Sequence, residues 1–289
     1  MEVPKTLLPL NSAFRDALNR HGYAFQFSVI RAAENLYEDG KSKWIFEVAE
    51  FPVAAQGKDT RIDLVLRKRD SLTYAIAECK RVNPALGHWC FARAAYTRRD
   101  PNSEKLLVES LDAISLVDVK AIDPKQPYKL LNTVSSARSK NIYHLGFELK
   151  SDEKGDPNSS SDRGAIEEAA TQVLRGANGM FEYIATHQFL EPGYKVSLVP
   201  VIFTTANLWT SEVDLGGANL TNGNMAEIMP LTPRSWLWFN YNQSPTLKHS
   251  LGTKEPWNSL GDILESEYTR SIAVVNAAGI EEFLHECKF

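Results

Sequence analysis

Apolar positions recur at helical spacing early in the chain. Phe25, Val29, Ala32, Ala33 and Leu36 fall on one stripe of YAFQFSVIRAAENLYED, which predicts a helix from Tyr23 to a stop at Gly40. A shorter helix, SAFRDALNR, precedes it, with Ser12 as its cap and Gly22 at its end. The period then changes. KWIFEVAEFPV, RIDLVLRKR and LTYAIAECKRV mix apolar with charged residues over strand lengths, and Gly57 and Asp70–Ser71 separate them. These three segments predict a meander, closed by Asn83–Pro84.

Later patterns are more mixed. WCFARAAYT, SLDAISLVDV and YHLGFELK read as strands, EKLLVES as a short helix, and residues 151–164 as a polar surface loop. AIEEAATQVLRGANGMFEYIAT is amphipathic, with Ile166, Ala170, Val173, Ala177, Phe181 and Ile184 on one stripe. KVSLVPVIFTTANLW predicts one strongly apolar, buried strand, SIAVVNA another, and AGIEEFLHECK a terminal helix. The expected architecture is a single α/β domain over 1–289, a central mixed β-sheet flanked by helices. A β-rich insertion falls at about 83–164 and a loop-rich region at about 208–260.

Composition narrows the class. With 43% apolar and 24% charged residues, the 289-residue chain is that of a globular protein, not a disordered or collagenous one. Three cysteines without a CxxC pair argue against a disulfide framework or a structural zinc site. The N-terminal MEVPKTLLPLNSAF lacks the form of a signal peptide, and no run approaches the roughly 20 apolar residues of a membrane span. A cytoplasmic protein without membrane contact is expected. A net charge of -4 weighs against a polyanionic partner, but residues 51–100 carry ten Lys/Arg and five acids, a local net of +5. That segment holds the chemistry.

Side chains alternate faces on a strand, so Tyr74, Ile76, Glu78 and Lys80 share one face of the third strand. Asp63 lies in the preceding strand, close enough across a short hairpin to meet Glu78. Two carboxylates and a lysine thus converge among Ile62, Leu64, Leu66, Ala75 and Ala77, where burying charge needs a functional reason or full pairing. A hard cation such as Mg²⁺, with Mn²⁺ as a substitute, takes carboxylate and carbonyl oxygens, here Asp63, Glu78 and the backbone carbonyl of Cys79. Lys80 would stand beside the attacking water and the phosphate.

This arrangement resembles the PD-(D/E)xK nuclease superfamily, with its restriction-endonuclease-like core, in the order of elements as well as the triad. Helix, meander, second helix and further strand correspond to residues 23–39, 44–82, 165–187 and 196–207. The resemblance implies a Mg²⁺-dependent DNA endonuclease serving defence, restriction or repair, with a homodimer cutting the duplex. It also implies a Glu on the first helix, Glu34, and a Gln on the second, Gln172, as further site members. Glu47 and Glu50 compete with Glu34 for that place. Ile62 stands where the family has its proline, and the 82 residues of 83–164 exceed a minimal core. A catalytically silent nucleic-acid-binding or regulatory subunit of the same fold is the alternative.

The pattern [DE]-x-K alone is weak. It begins at Asp39, Glu78, Asp118, Asp123, Glu148, Asp152 and Glu286, and only Glu78 follows an Asp-bearing hairpin partner. Arg61 and Arg81 either contact phosphates or solvate the hairpin. Trp236, Trp238, Phe239 and Tyr241 read as packing more than as a base-stacking platform. The six histidines show no metal spacing, and Cys79 faces away from Glu78 as a small apolar residue. No phosphate loop, GxGxxG or GxSxG is present.

Overall fold

The computed structural model describes residues 8–55, 57–93, 116–119, 128–131, 142–149, 164–187, 195–225, 230–242 and 269–286. Helices α1 (Leu8–Arg20) and α2 (Tyr23–Glu38) meet at Gly22, whose φ of 75° makes the sharp corner that glycine tolerates. α1 starts a turn earlier than its expected cap. Pro9 sits in its first turn, where a missing N–H costs nothing, and Ser12 lies inside the helix.

The meander is present as β1 (Trp44–Ala55), β2 (Lys58–Lys68) and β3 (Thr73–Lys80), all antiparallel neighbours. After a 3₁₀ turn over Pro84–Leu86 come β4 (His88–Ala92), β5 (Leu116–Val119), β6 (Tyr128–Leu131), β7 (Ile142–Tyr143) and β8 (Leu145–Leu149). Helix α3 (Ala165–His187) leads to β9 (Lys195–Thr204), β10 (Asn207–Ser211), β11 (Thr232–Arg234), β12 (Trp236–Asn242), β13 (Thr269–Asn276) and α4 (Ile280–Glu286).

Among the described residues these strands form two sheets. The larger runs β1-β2-β3-β9-β13-β12-β7, with the β5–β6 hairpin laid along the start of β9; the smaller runs β11-β10-β4-β8. β3, β9 and β13 are parallel and β7 runs parallel to β12, whereas β1 with β2, β2 with β3 and β12 with β13 pair antiparallel, so the large sheet is mixed. The described strands from 83–164 join both sheets, β4 and β8 the small one and β5, β6 and β7 the large one. One expectation changes. The apolar run 195–209 is two strands: the Thr204 hydroxyl accepts the Ala206 N–H, the chain bends, and β10 crosses to the small sheet beside β4. The expected helix at EKLLVES and nearly all of the polar loop 151–164 lie outside the described residues.

Helices cover both faces of the large sheet. α2 and α4 pack Val29, Ile30, Ala33, Leu36, Phe283 and Leu284 against Leu64, Leu66, Ala75, Ala77, Val201 and Phe203. On the other face, α3 lays Ala169, Ala170, Val173, Leu174 and Ala177 over Ile62, Ile76, Ile202 and Val274. α3 comes close because it presents glycines: a Cβ at Gly176 would lie 3.0 Å from Ile62 and 3.7 Å from Ile76. The start of α3 is held by Glu148, whose carboxylate accepts the Ile166 N–H at 3.1 Å, so this [DE]-x-K acid serves as a helix-end partner. No helix among the described residues is long and apolar enough to cross a membrane.

Candidate active site

β2 and β3 are paired through Leu64 opposite Ala77, and there the ladder stops. A side chain takes over. Asp63 Oδ2 accepts the N–H of Cys79 at 2.8 Å, which brings its carboxylate against the Glu78–Cys79 peptide. On a strand the carbonyl points the same way as the N–H of its own residue. The Cys79 carbonyl therefore faces the same opening, while the Lys80 carbonyl, on the opposite side, accepts from Thr205.

Alternation puts Glu78 and Lys80 on one face, and that face is the one α3 covers, since Ile76 belongs to the core beneath α3 and Ala75, Ala77 and Cys79 to the core beneath α2. Lys80 Nζ donates to Glu168 Oε2 of α3 at 2.6 Å. Lys80 thus meets α3 at Glu168 and Ile76 meets it at Gly176, two turns further on. Gln172, midway between, falls at the level of Glu78, and its Oε1 is buried without a hydrogen-bond partner.

The acids are unsettled as they stand. Burial above all, and then the neighbouring Asp63 charge, push the Glu78 carboxyl up to about 8, against the pull of Lys80. Burial likewise lifts Asp63 to about 6; the Cys79 N–H opposes this, Glu50 adds to it, and Lys80 opposes it. Near neutral pH this pair keeps a proton that exposed carboxyls would have lost. Burial, then Asp63 and Glu78, also hold the Cys79 thiol far above its ordinary range, so it is no nucleophile. Oxygen donors and excess negative charge are the donor set a hard divalent cation takes, and its charge would allow both carboxylates to ionise. Among the described residues no three His, Cys, Asp or Glu side chains stand as a preformed metal-ligand group.

The other candidates divide. Glu34 is turned to the exposed face of α2, where it lines an open surface groove with Phe27 and Arg31, and it does not meet the acids. The buried stripe of α2 instead carries Gln26 to Asp63. Glu47 sits at a bulge in β1 and pairs with Arg67. Glu50 reaches the site. Arg61 lies 3.8 Å from Glu50, and Arg81 donates to the Asn19 carbonyl at 3.0 Å, tying the end of α1 to the end of β3. Trp238 and Phe239 are buried core residues, as expected of packing aromatics.

Sequence reasoning missed Gln26 and Glu168 and left Glu50 as one choice among three. Counting outward from the Gly57 turn, which pairs Ala55 with Lys58, reaches Glu50 opposite Asp63. Glu168 is one helical turn before Gln172, and Gln26 is the polar member of an otherwise apolar stripe. Comparison with protein-family models, with curated proteins and with solved structures finds no match for this chain.

Proposed function

We propose that this chain is a divalent-cation-dependent nuclease that hydrolyses phosphodiester bonds, with DNA as its substrate. The observation that carries the reading is the pressing together of Asp63 and Glu78 from adjacent strands at a broken ladder, with Lys80 two residues on. The order of α2, three-stranded meander, α3 and β9 supports it, being the order expected of a PD-(D/E)xK core.

Asp63, Glu78 and the Cys79 carbonyl would hold Mg²⁺ or Mn²⁺. When bound, the cation supplies Lewis-acid activation of water and neutralises charge on the phosphate. Asp63 keeps its orientation through the Cys79 N–H, so one carboxylate oxygen is fixed and the other is left for a ligand. Lys80, on the same face as Glu78, donates to the attacking oxygen or to the charge that develops on the phosphate. Without substrate its ammonium rests on Glu168, a side chain that is 56% exposed and free to swing away.

Supercoiled plasmid incubated with the protein and Mg²⁺ or Mn²⁺ tests this. Cleavage is expected with metal, not in EDTA, and not from Lys80→Ala or Glu78→Ala proteins whose circular dichroism matches the parent. Cleavage that persists in both variants, or in EDTA, refutes it. Metal-independent DNA binding without cleavage by the parent protein favours a catalytically silent binding subunit instead.

A further inference from the structure

α1 and α2 turn an apolar ridge to solvent. From Leu10 to Asn19 no side chain of α1 is buried, and Leu10 and Phe14 are each 65% exposed. Leu10, Phe14, Leu18 and His21 recur at three- and four-residue spacing and form one stripe of that helix, whose last turn is closed by the His21 N–H on the Ala17 carbonyl. The His21 ring stacks on that of Tyr23, with centroids 6.3 Å apart. Tyr23 opens the outer stripe of α2, which continues through Phe27 and Arg31 to Glu34, all exposed. The ridge therefore runs unbroken across the Gly22 corner.

A helix of 13 residues is marginal in water by itself and is held in a protein by packing its apolar side. α1 is joined to the body at its end, by the Gly22 corner and by Arg81, which donates to the Asn19 carbonyl at 3.0 Å, while its apolar stripe faces outward. Phe14, Tyr23 and Phe27 leave roughly 250–400 Å² of aromatic surface open, and Leu10 and Leu18 bring the total to about 500 Å². A stable interface buries about 800 Å² of each partner, of which about three fifths, or roughly 500 Å², is apolar. The ridge meets that requirement.

Charge selects the occupant. Arg31 and Glu34 lie one turn apart beside the groove that Phe27 lines, and neither has an ion-pair partner among the described residues. On α1, Arg15 and Asp16 offset each other at 3.3 Å. The ridge is thus neutral, with one unpaired charge of each sign, whereas a polyanion or an acidic membrane would call for an excess of positive charge. We propose that the α1–α2 ridge is the interface of a two-fold homodimer, with Leu10, Phe14, Leu18, Tyr23 and Phe27 at its apolar centre and Arg31 of each copy paired with Glu34 of the other. A two-fold axis makes every contact reciprocal, so a surface carrying both signs complements itself. The proposal goes beyond the nuclease reading and needs no part of it.

Sedimentation equilibrium of the whole protein, in EDTA and without DNA, tests the proposal. Interfaces of this size hold at micromolar concentrations or below, so the parent is expected to be dimeric at about 20 µM. Phe14→Asp is expected to weaken association at least tenfold. Arg31→Glu and Glu34→Arg should each do the same, whereas the double variant, which exchanges the two charges, should recover to within threefold of the parent. These side chains are exposed, so the circular dichroism of each variant is expected to match the parent. A parent that remains monomeric at about 100 µM overturns the proposal. So does a dimer that Phe14→Asp or either single charge reversal leaves unchanged, or a double variant that associates no better than the single ones. Plasmid cleavage by a monomeric parent would remove the dimer and leave the nuclease reading intact.

Discussion

Replacing Glu78 with glutamine removes a central group of the proposed site, and in chelator it is expected to stabilise the fold. Burial and the adjacent Asp63 raise the Glu78 carboxyl to about 8, against 4.5 for an unhindered glutamate. The sign follows from linkage. Between those two values the folded chain holds a proton that the unfolded chain has released, so stability falls as pH rises, from about 4.5 until the folded carboxyl ionises near 8. Each pH unit in that interval costs the folded state about 1.4 kcal/mol, so at pH 7 the upper bound is about 3 kcal/mol. Asp63 shares the repulsion, and a buried glutamine keeps some desolvation cost of its own, which leaves a net gain of about 1–2 kcal/mol. For a chain of this size that is a rise in Tm of roughly 2–8 °C. Thermal melts of parent and Glu78→Gln in EDTA, at pH 5 and pH 7.5, read it as a difference that opens with pH. Added Mg²⁺ should narrow the gap by stabilising the parent alone. A variant less stable than the parent at pH 7.5 in EDTA would mean that the Glu78 carboxylate is well paired, and the reasoning from repulsion would fail.

Two further outcomes are expected. Gly179→Ala places a Cβ 2.6 Å from Val53 Cγ2 and 2.9 Å from its Cβ, so overpacking of about 1–3 kcal/mol should exceed the roughly 1 kcal/mol that alanine gains in a helix. Urea unfolding measures the loss, Val53→Ala should recover part of it, and a Gly179→Ala protein more stable than the parent would contradict the close seat of α3. Glu168→Gln releases Lys80 from a largely exposed contact, so stability should change by less than about 1 kcal/mol and cleavage should rise by about two- to fivefold. A tenfold fall in cleavage would instead make Glu168 part of the chemistry.

The strand face bearing Glu78 and Lys80 was legible because alternation is a local rule, and β3 follows it without interruption. The meander and both long helices were legible for the same reason: their periods are regular and glycine marks the corners. The division of residues 195–209 was not, since Thr205 and Ala206 carry no turn signature and the bend is made by a threonine hydroxyl and by pairing with β4, more than a hundred residues earlier. Glu34 was misplaced because helix spacing reports which residues share a face without reporting which face meets the sheet. Gln26 decides that question, and a lone glutamine in an apolar stripe acquires its meaning only once its two acceptors, Glu50 and the Asp63 carbonyl, are in place.

The two acids sit on neighbouring strands of one hairpin, and this sets the order in which the site can assemble. Only the short turn between Lys68 and Thr73 must close to bring Asp63 to Glu78, whereas α3 begins at Ala165 and β9 at Lys195. Short loops close sooner than long ones, so the carboxylates become neighbours while still hydrated, and their mutual repulsion then is weak. What makes them costly is the later docking of α3 and β9, which removes the water. The penalty for housing the acid pair therefore falls on a later, long-range step of folding than the hairpin itself, and a cation present at that step would ease the closing of the protein over the acid pair.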